Sequence, residues 1–329
     1  MGRAMLWLGG IGLLLLAVLL GGVLTRPPRL LPPMDTMALD VAGIDSHLAS
    51  SEERSAAHYG IVEGAAKQLR WYGEPGTRSE FAVVYLHGFS ATRQEIHPVP
   101  ERVADALGAN LFSTRWRGHG REREQMRDTS AEDWLQDGIE ALTIGAAIGD
   151  KVIVMGTSTG ATMAVALARH PLFARIEGLV LTSPNWGLPF ANGGTRLATG
   201  LYGPLIIRSV MGEEHEWEPA NELQGRYWTT RYPSDAVVEM FRLLKLADEL
   251  TEEARVPNAM LVYSPKDDTV SVPHLLAGFE RLPAERKQVV SIEEPRSLST
   301  HVLAGDILGP QETEPMVRRI VDFFGGAES

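Results

Sequence analysis

The stretch "VIVMGTSTGATMAVALA", Val152 to Ala168, runs a β-branched apolar segment into a serine flanked by glycines and then into an Ala-rich segment. The first part has the length and branching of a buried strand and the last part has helical propensity, so Ser158 falls at their junction. A sharp turn there needs Gly156 and Gly160, because neighbouring backbone must pass where a Cβ would stand. Such a turn projects Ser158 above the end of the sheet. The helix that follows aims its free N–H groups and the positive end of its dipole at the same point. A Gly-x-Ser-x-Gly pattern alone says little in a chain with 33 Gly among 329 residues. Its placement between strand and helix makes Ser158 a candidate nucleophile.

Outward from this unit the chain alternates. Apolar runs at Phe81 to Leu86, Leu111 to Thr114, Val152 to Met155, Gly178 to Leu181, Ala259 to Tyr263 and Gln288 to Ile292 predict buried strands. Helical spacing covers Val99 to Leu107, Ala131 to Ile148, Thr159 to Arg169, Asp235 to Leu250, Val272 to Leu282 and Glu312 to Phe324. This alternation predicts an α/β fold, a mostly parallel sheet flanked by helices. One interval is out of scale: Asn185 to Pro233 remains as an insertion between the strand ending at Leu181 and the helix at Asp235.

A serine hydroxyl is a weak nucleophile until a base takes its proton, so a histidine and an orienting carboxylate are required. After the Ala259 to Tyr263 strand comes "SPKDDTVSVPH", with Asp267 and Asp268 at the strand's C-terminal end, where sites on such sheets are built. After the last strand comes "RSLSTHVLAGD", with His301 on a loop. The other downstream histidines, His170, His215 and His274, lie in or beside helices or within the insertion. Either aspartate can be the acid, the other being a turn or capping residue. A tetrahedral intermediate also needs fixed donors for its oxyanion. The N–H of Thr159 is one candidate, and the N–H of Phe89, in "LHGFSAT" after the Phe81 strand, is the other.

From about residue 65 to 325 the chain resembles an α/β-hydrolase, and within that superfamily it is similar to the monoglyceride lipase, lysophospholipase and carboxylesterase branch. The matching pieces are "YLHGFSAT", "RWRGHGRE", "GTSTG", "DDTV" and "STHV". The resemblance implies the order serine, acid, histidine. It carries the acid to Asp268, because the family's acid is commonly followed two positions on by an apolar residue, as Asp268 is by Val270. It implies a serine hydrolase cleaving carboxylic esters through an acyl-enzyme on Ser158, with Asp268 and His301 completing the triad. The insertion, residues 185–233, would then be a lid. Its Trp186, Leu205 and Ile206 are candidate substrate contacts for an apolar acyl group on a small-molecule or lipid-like ester. An acyltransferase or amide hydrolase would use the same triad, and a catalytically silent anchored binding domain would keep the fold.

The ends and the composition bound the rest. Ala4 to Leu24 is 21 residues without a charge, long enough at ~1.5 Å per residue for the ~30 Å hydrocarbon core of a bilayer. It predicts a single-pass membrane anchor, with a cleaved signal peptide as the rival reading. Thr25-Arg26-Pro27-Pro28-Arg29 follows it in place of small cleavage-site residues. A short N-terminal tail that stays inside would set the catalytic domain outside the cytoplasm. Residues 25–64 read as a linker and a short helix, Ile44 to Ala57, capped by Asp45. The net charge is −11 although the first 30 residues hold three Arg and no acid, which excludes the basic face that nucleic acid requires. With no Cys there is no thiolate ligand or nucleophile, and no H-E-x-x-H, Walker A or G-x-G-x-x-G pattern calls for a metal or organic cofactor.

Overall fold

In a computed structural model of the chain, which describes residues 30, 39–188 and 198–325, the alternating segments assemble around one sheet. Strands β1 (Gln68–Arg70), β2 (Ser79–Leu86), β3 (Asn110–Ser113), β4 (Gly149–Thr157) and β5 (Ile176–Thr182) precede the insertion. The insertion contributes a separate antiparallel pair, β6 (Glu214–Glu216) and β7 (Arg231–Pro233). After it come β8 (Val256–Tyr263) and β9 (Ala284–Ser291). The main sheet is seven-stranded in the order β1-β3-β2-β4-β5-β8-β9. Only the short edge strand β1 runs antiparallel, against β3.

Period-two alternation sorts the strand side chains onto two cores. Val152 and Val154 of β4, with Ala82, Val84 and Leu86 of β2, pack on one face; Ile153 and Met155, with Val83 and Tyr85, pack on the other. The helices, in chain order, are α1 (Val41–Tyr59), α2 (Val99–Ala106), α3 (Ala131–Ile148), α4 (Thr159–Ala166), α5 (Gly203–Met211), α6 (Glu222–Tyr227), α7 (Asp235–Leu250), α8 (Val272–Arg281) and α9 (Pro310–Gly325). Residues of α1, α3, α4, α7 and α8 share the first core, and those of α2 and α9 the second. Helix α3 begins in a full capping box, Ser130 with Asp133, a feature that contributes on the order of 1 kcal/mol.

Helix α1 departs from its expected form. Its cap is Asp40, whose carboxylate accepts the Gly43 N–H at 2.9 Å, so Asp45 lies inside the helix. The helix is also docked on the domain: Ile44 and Leu48 are buried, worth roughly 1.5–3 kcal/mol each when fully enclosed. His47 Nε2 meets Glu140 at 2.6 Å, and the Arg115 guanidinium grips Glu52 at 3.0 and 2.7 Å. The expected short helix is thus longer, residues 41–59, and packs on the domain.

The membrane expectation is corrected as well. Among the described residues no helix is long and apolar enough to cross a membrane, and the segment at residues 4–24 lies outside the described residues. The expected membrane localisation, with the catalytic domain outside the cytoplasm, has no spanning helix among the described residues to support it.

Candidate active site

Ser158 follows directly on β4 and precedes α4, with φ 54° and ψ −122°. That conformation costs a non-glycine residue on the order of 1–3 kcal/mol and persists only where the surroundings fix it. Here its N–H donates to Thr182 O at 2.9 Å, and its carbonyl accepts from Ala161 N and Asn185 N, both at 3.1 Å. The flanking glycines are required by contact. A Cβ at Gly160 would stand 2.1 Å from Leu86 O and 2.4 Å from His87 O, and one at Gly156 would stand 2.6 Å from Ala161 N. Because these are main-chain atoms of the sheet's centre, Gly160→Ala is expected to remove several kcal/mol of stability, about the scale of a severe core overpacking or more. Denaturant unfolding checks this, and an unchanged midpoint would contradict the close approach.

Two further loops meet this turn. Ser183, just after β5, donates its N–H to Val262 O and its hydroxyl to His301 O, each at 2.8 Å. His301 is buried, and its Nδ1 lies 2.8 Å from Asp267 Oδ2. The other oxygen of that carboxylate accepts the N–H groups of Thr269 and Val270 at 2.9 and 3.0 Å. An ionised carboxylate can only accept, so Nδ1 carries the hydrogen and Nε2 is left with its lone pair.

The carboxylate paired with His301 is therefore that of Asp267 and not that of the expected Asp268. Asp268 is exposed and accepts the Thr300 hydroxyl at 3.0 Å, whereas the Asp267 side chain has no exposed surface. The cause is local: the carboxylate of Asp267 closes the turn by capping the N–H groups two and three residues on. That turn aims Asp267 inward and leaves its neighbour on the rim. The family spacing that favoured Asp268 does not register this turn.

Thr159, the first residue of α4, is fully buried, and Phe89 lies on the loop after β2. Among the described residues neither backbone N–H has an acceptor, which leaves both available to a developing oxyanion. The loop is held from above by the insertion. Thr229 N donates to Ser90 O at 2.7 Å, and the Tyr232 ring meets the Phe89 ring edge-on at 5.3 Å. From below, His119 Nε2 accepts Ser90 N at 3.1 Å and His87 Nε2 accepts Trp116 N at 3.2 Å. Burial pushes the His87 imidazole down to about 4, so it is a neutral packing group near pH 7.

The three expected substrate contacts fare differently. Trp186 is buried, with its Nε1 donating to Thr251 Oγ1 at 3.1 Å and its ring filling the space a Cβ on Gly278 would need. It is part of the packed core. Leu205 and Ile206, on α5, are 64% and 37% exposed. Residues 189–197 of the insertion, including Phe190 and Leu197, lie outside the described residues.

One residue escaped the sequence reading. Glu95 is 2% exposed, and its Oε2 accepts the N–H of Gly88 at 2.8 Å and the hydroxyl of Tyr85 at 2.9 Å. Burial pushes its carboxyl up to about 7, against the opposing effect of those two hydrogen bonds and of the charge on His301. In the sequence "TRQE" looks like an exposed capping pattern, Thr92 followed three residues later by Glu95, and nothing there signals an inward side chain.

Comparison with known proteins agrees with this architecture. A family model described as the alpha/beta hydrolase family matches residues 83–304. A thermostable monoacylglycerol lipase of Bacillus sp. (strain H-257) is 25% identical over 270 residues, covering 81% of this chain and 96% of the relative. Among solved structures, a metagenome-derived lipolytic enzyme superposes with a TM-score of 0.65 at 18% identity, over 81% of this chain and 99% of its own. A soluble variant of the monoglyceride lipase of Saccharomyces cerevisiae gives 0.56 at 13% identity, over 90% and 97%.

Proposed function

The chain belongs to the alpha/beta hydrolase family and is a hydrolase of the lipase and esterase kind; from that premise we propose that it cleaves carboxylic esters with an apolar acyl group through an acyl-enzyme on Ser158. The observation that supports the reading is the Asp267–His301 pair, on the loops after β8 and β9, with the His301 carbonyl held by Ser183, the neighbour of the Thr182 that accepts the Ser158 N–H. His301 Nε2 takes the proton of the Ser158 hydroxyl as Oγ attacks the ester carbonyl, and Asp267 holds the imidazole and steadies the imidazolium. The N–H groups of Phe89 and Thr159 receive the oxyanion, each such donor being worth about 10²–10³ in rate. The imidazolium then protonates the leaving alcohol, and water, activated by the same base, releases the acid. Labelling of the protein by a fluorophosphonate tests the reading; a folded protein that neither labels nor hydrolyses any ester would leave it as a silent domain.

The acyl preference is supported by the similarity to monoacylglycerol lipases and by the apolar character of α5 within the insertion, where Leu205 and Val210 stand 64% and 78% exposed. We read residues 185–233 as a lid whose apolar side meets the acyl chain. Each methylene the site buries then improves kcat/KM by up to roughly 0.8 kcal/mol, about fourfold, until the site is full. In a panel of esters of rising chain length, medium chains are expected to exceed acetate. Leu205→Asp should flatten that rise while acetate hydrolysis stays nearly unchanged. Equal loss on all chain lengths would make Leu205 a folding residue, and a flat profile in the parent would point to a small or polar ester.

A further inference from the structure

The Glu95 carboxylate has no part in the steps above, yet it sits among the groups that perform them. It ends a short 3₁₀ turn, Arg93–Glu95, beneath the loop that carries Phe89. Its Oε2 holds Gly88 N, one residue before the candidate oxyanion donor. Through Tyr85 it also reaches the nucleophile's turn: the phenol donates to Glu95, and its oxygen lies 3.2 Å from Thr157 Oγ1, one residue before Ser158. A Cβ placed on Gly88 would stand 2.6 Å from Glu95 Oε1 and 3.2 Å from Ser158 Cβ, so the carboxylate and the serine face the same glycine. The titratable groups that face it are the Tyr85 phenol, from β2, and the His301 imidazole, from the loop after β9. Burial holds the phenol well above its usual range, so it remains a neutral donor.

We propose that Glu95 is a positioning residue of the ester-cleaving site: it ties the oxyanion loop to the turn of Ser158, and its charge sets how readily His301 holds a proton. The inference rests on the assignment of Ser158, Asp267 and His301 as the hydrolytic triad. A positive imidazole favours ionised Glu95. By reciprocity, ionised Glu95 favours the imidazolium that forms as Ser158 attacks. Since Glu95 titrates at about 7, its charge is present above that pH and lost below it, in the range where the base must work.

The test is the pH profile of kcat/KM for a simple ester in wild type and Glu95→Gln, with thermal melts alongside. Glutamine keeps an oxygen to accept Gly88 N–H and Tyr85 O–H but carries no charge. The acid limb is expected to move to lower pH by at least about half a unit, a threefold change in proton binding. The high-pH plateau of kcat should fall several-fold, with KM little changed. A lower melting temperature with the limb in place would mean a structural carboxylate and would overturn the proposal. If Glu95→Gln does not fold, infrared spectra of wild type and His301→Gln read the coupling directly. Protonation of the buried carboxyl near pH 7 should shift to higher pH once the imidazole is gone, and an unmoved midpoint overturns the proposal. Absence of Ser158-dependent hydrolysis in wild type would remove the triad assignment and this inference with it, whereas hydrolysis with an unmoved limb removes this inference alone.

Discussion

Ser158→Ala is expected to lower kcat by at least about 10⁴-fold and to abolish fluorophosphonate labelling, while the protein stays folded. The size follows from what the substitution leaves: binding and the Phe89 and Thr159 donors persist, but no atom remains to form the acyl-enzyme. Folding should survive because alanine tolerates the turn about as well as serine does, and the hydrogen bonds that fix φ 54° at Ser158 are all made by its backbone. Steady-state rates with a melting curve on the same preparation settle the point. A folded variant that retains activity would move the chemistry to another residue.

Asp267→Asn is expected to cost about as much, on the order of 10⁴ in kcat, whereas Asp268→Asn should stay within a few-fold of wild type. The difference follows from geometry. The buried Asp267 carboxylate accepts from His301 Nδ1, which fixes the tautomer with a free lone pair on Nε2. An amide at 267 can donate to Nδ1 and so stabilise the opposite tautomer, whose Nε2 carries hydrogen and cannot take the serine proton. Asp268 is exposed on the rim and bonds Thr300, so its loss changes a surface contact worth about 1 kcal/mol or less. Equal losses, or the reverse order, would return the orienting role to Asp268.

How far the sequence carried the reading depended on whether a local pattern fixes the outcome. Five of the six apolar runs became β2, β3, β4, β5 and β8, because a strand buried on both faces must be continuously apolar; the sixth falls on the edge strand β9, whose residues are all half-buried or exposed. The Ser158 turn was legible for a similar reason: Gly156 and Gly160 are demanded by contacts with chain nearby in the fold. The choice between Asp267 and Asp268 was not legible, since two adjacent identical side chains are separated only by which one the turn points inward. The three-residue edge strand β1 carried no periodicity to detect, being half-buried throughout and defined by its pairing with β3. Glu95 was hidden because a carboxylate reads as surface, and its partners Gly88 and Tyr85 are supplied by tertiary structure. The core packing of Trp186 was not legible either, because the space its ring fills is left by the missing Cβ of Gly278, far along the chain.

The most direct test of the central claim is trapping followed by mass spectrometry. Wild-type protein treated with a fluorophosphonate, or rapidly quenched with a slowly deacylating ester, should carry one adduct per chain. Peptide mapping should place it on Ser158, with occupancy rising in step with the loss of ester hydrolysis. An adduct on another residue, or full hydrolytic activity with Ser158 completely modified, would contradict the account.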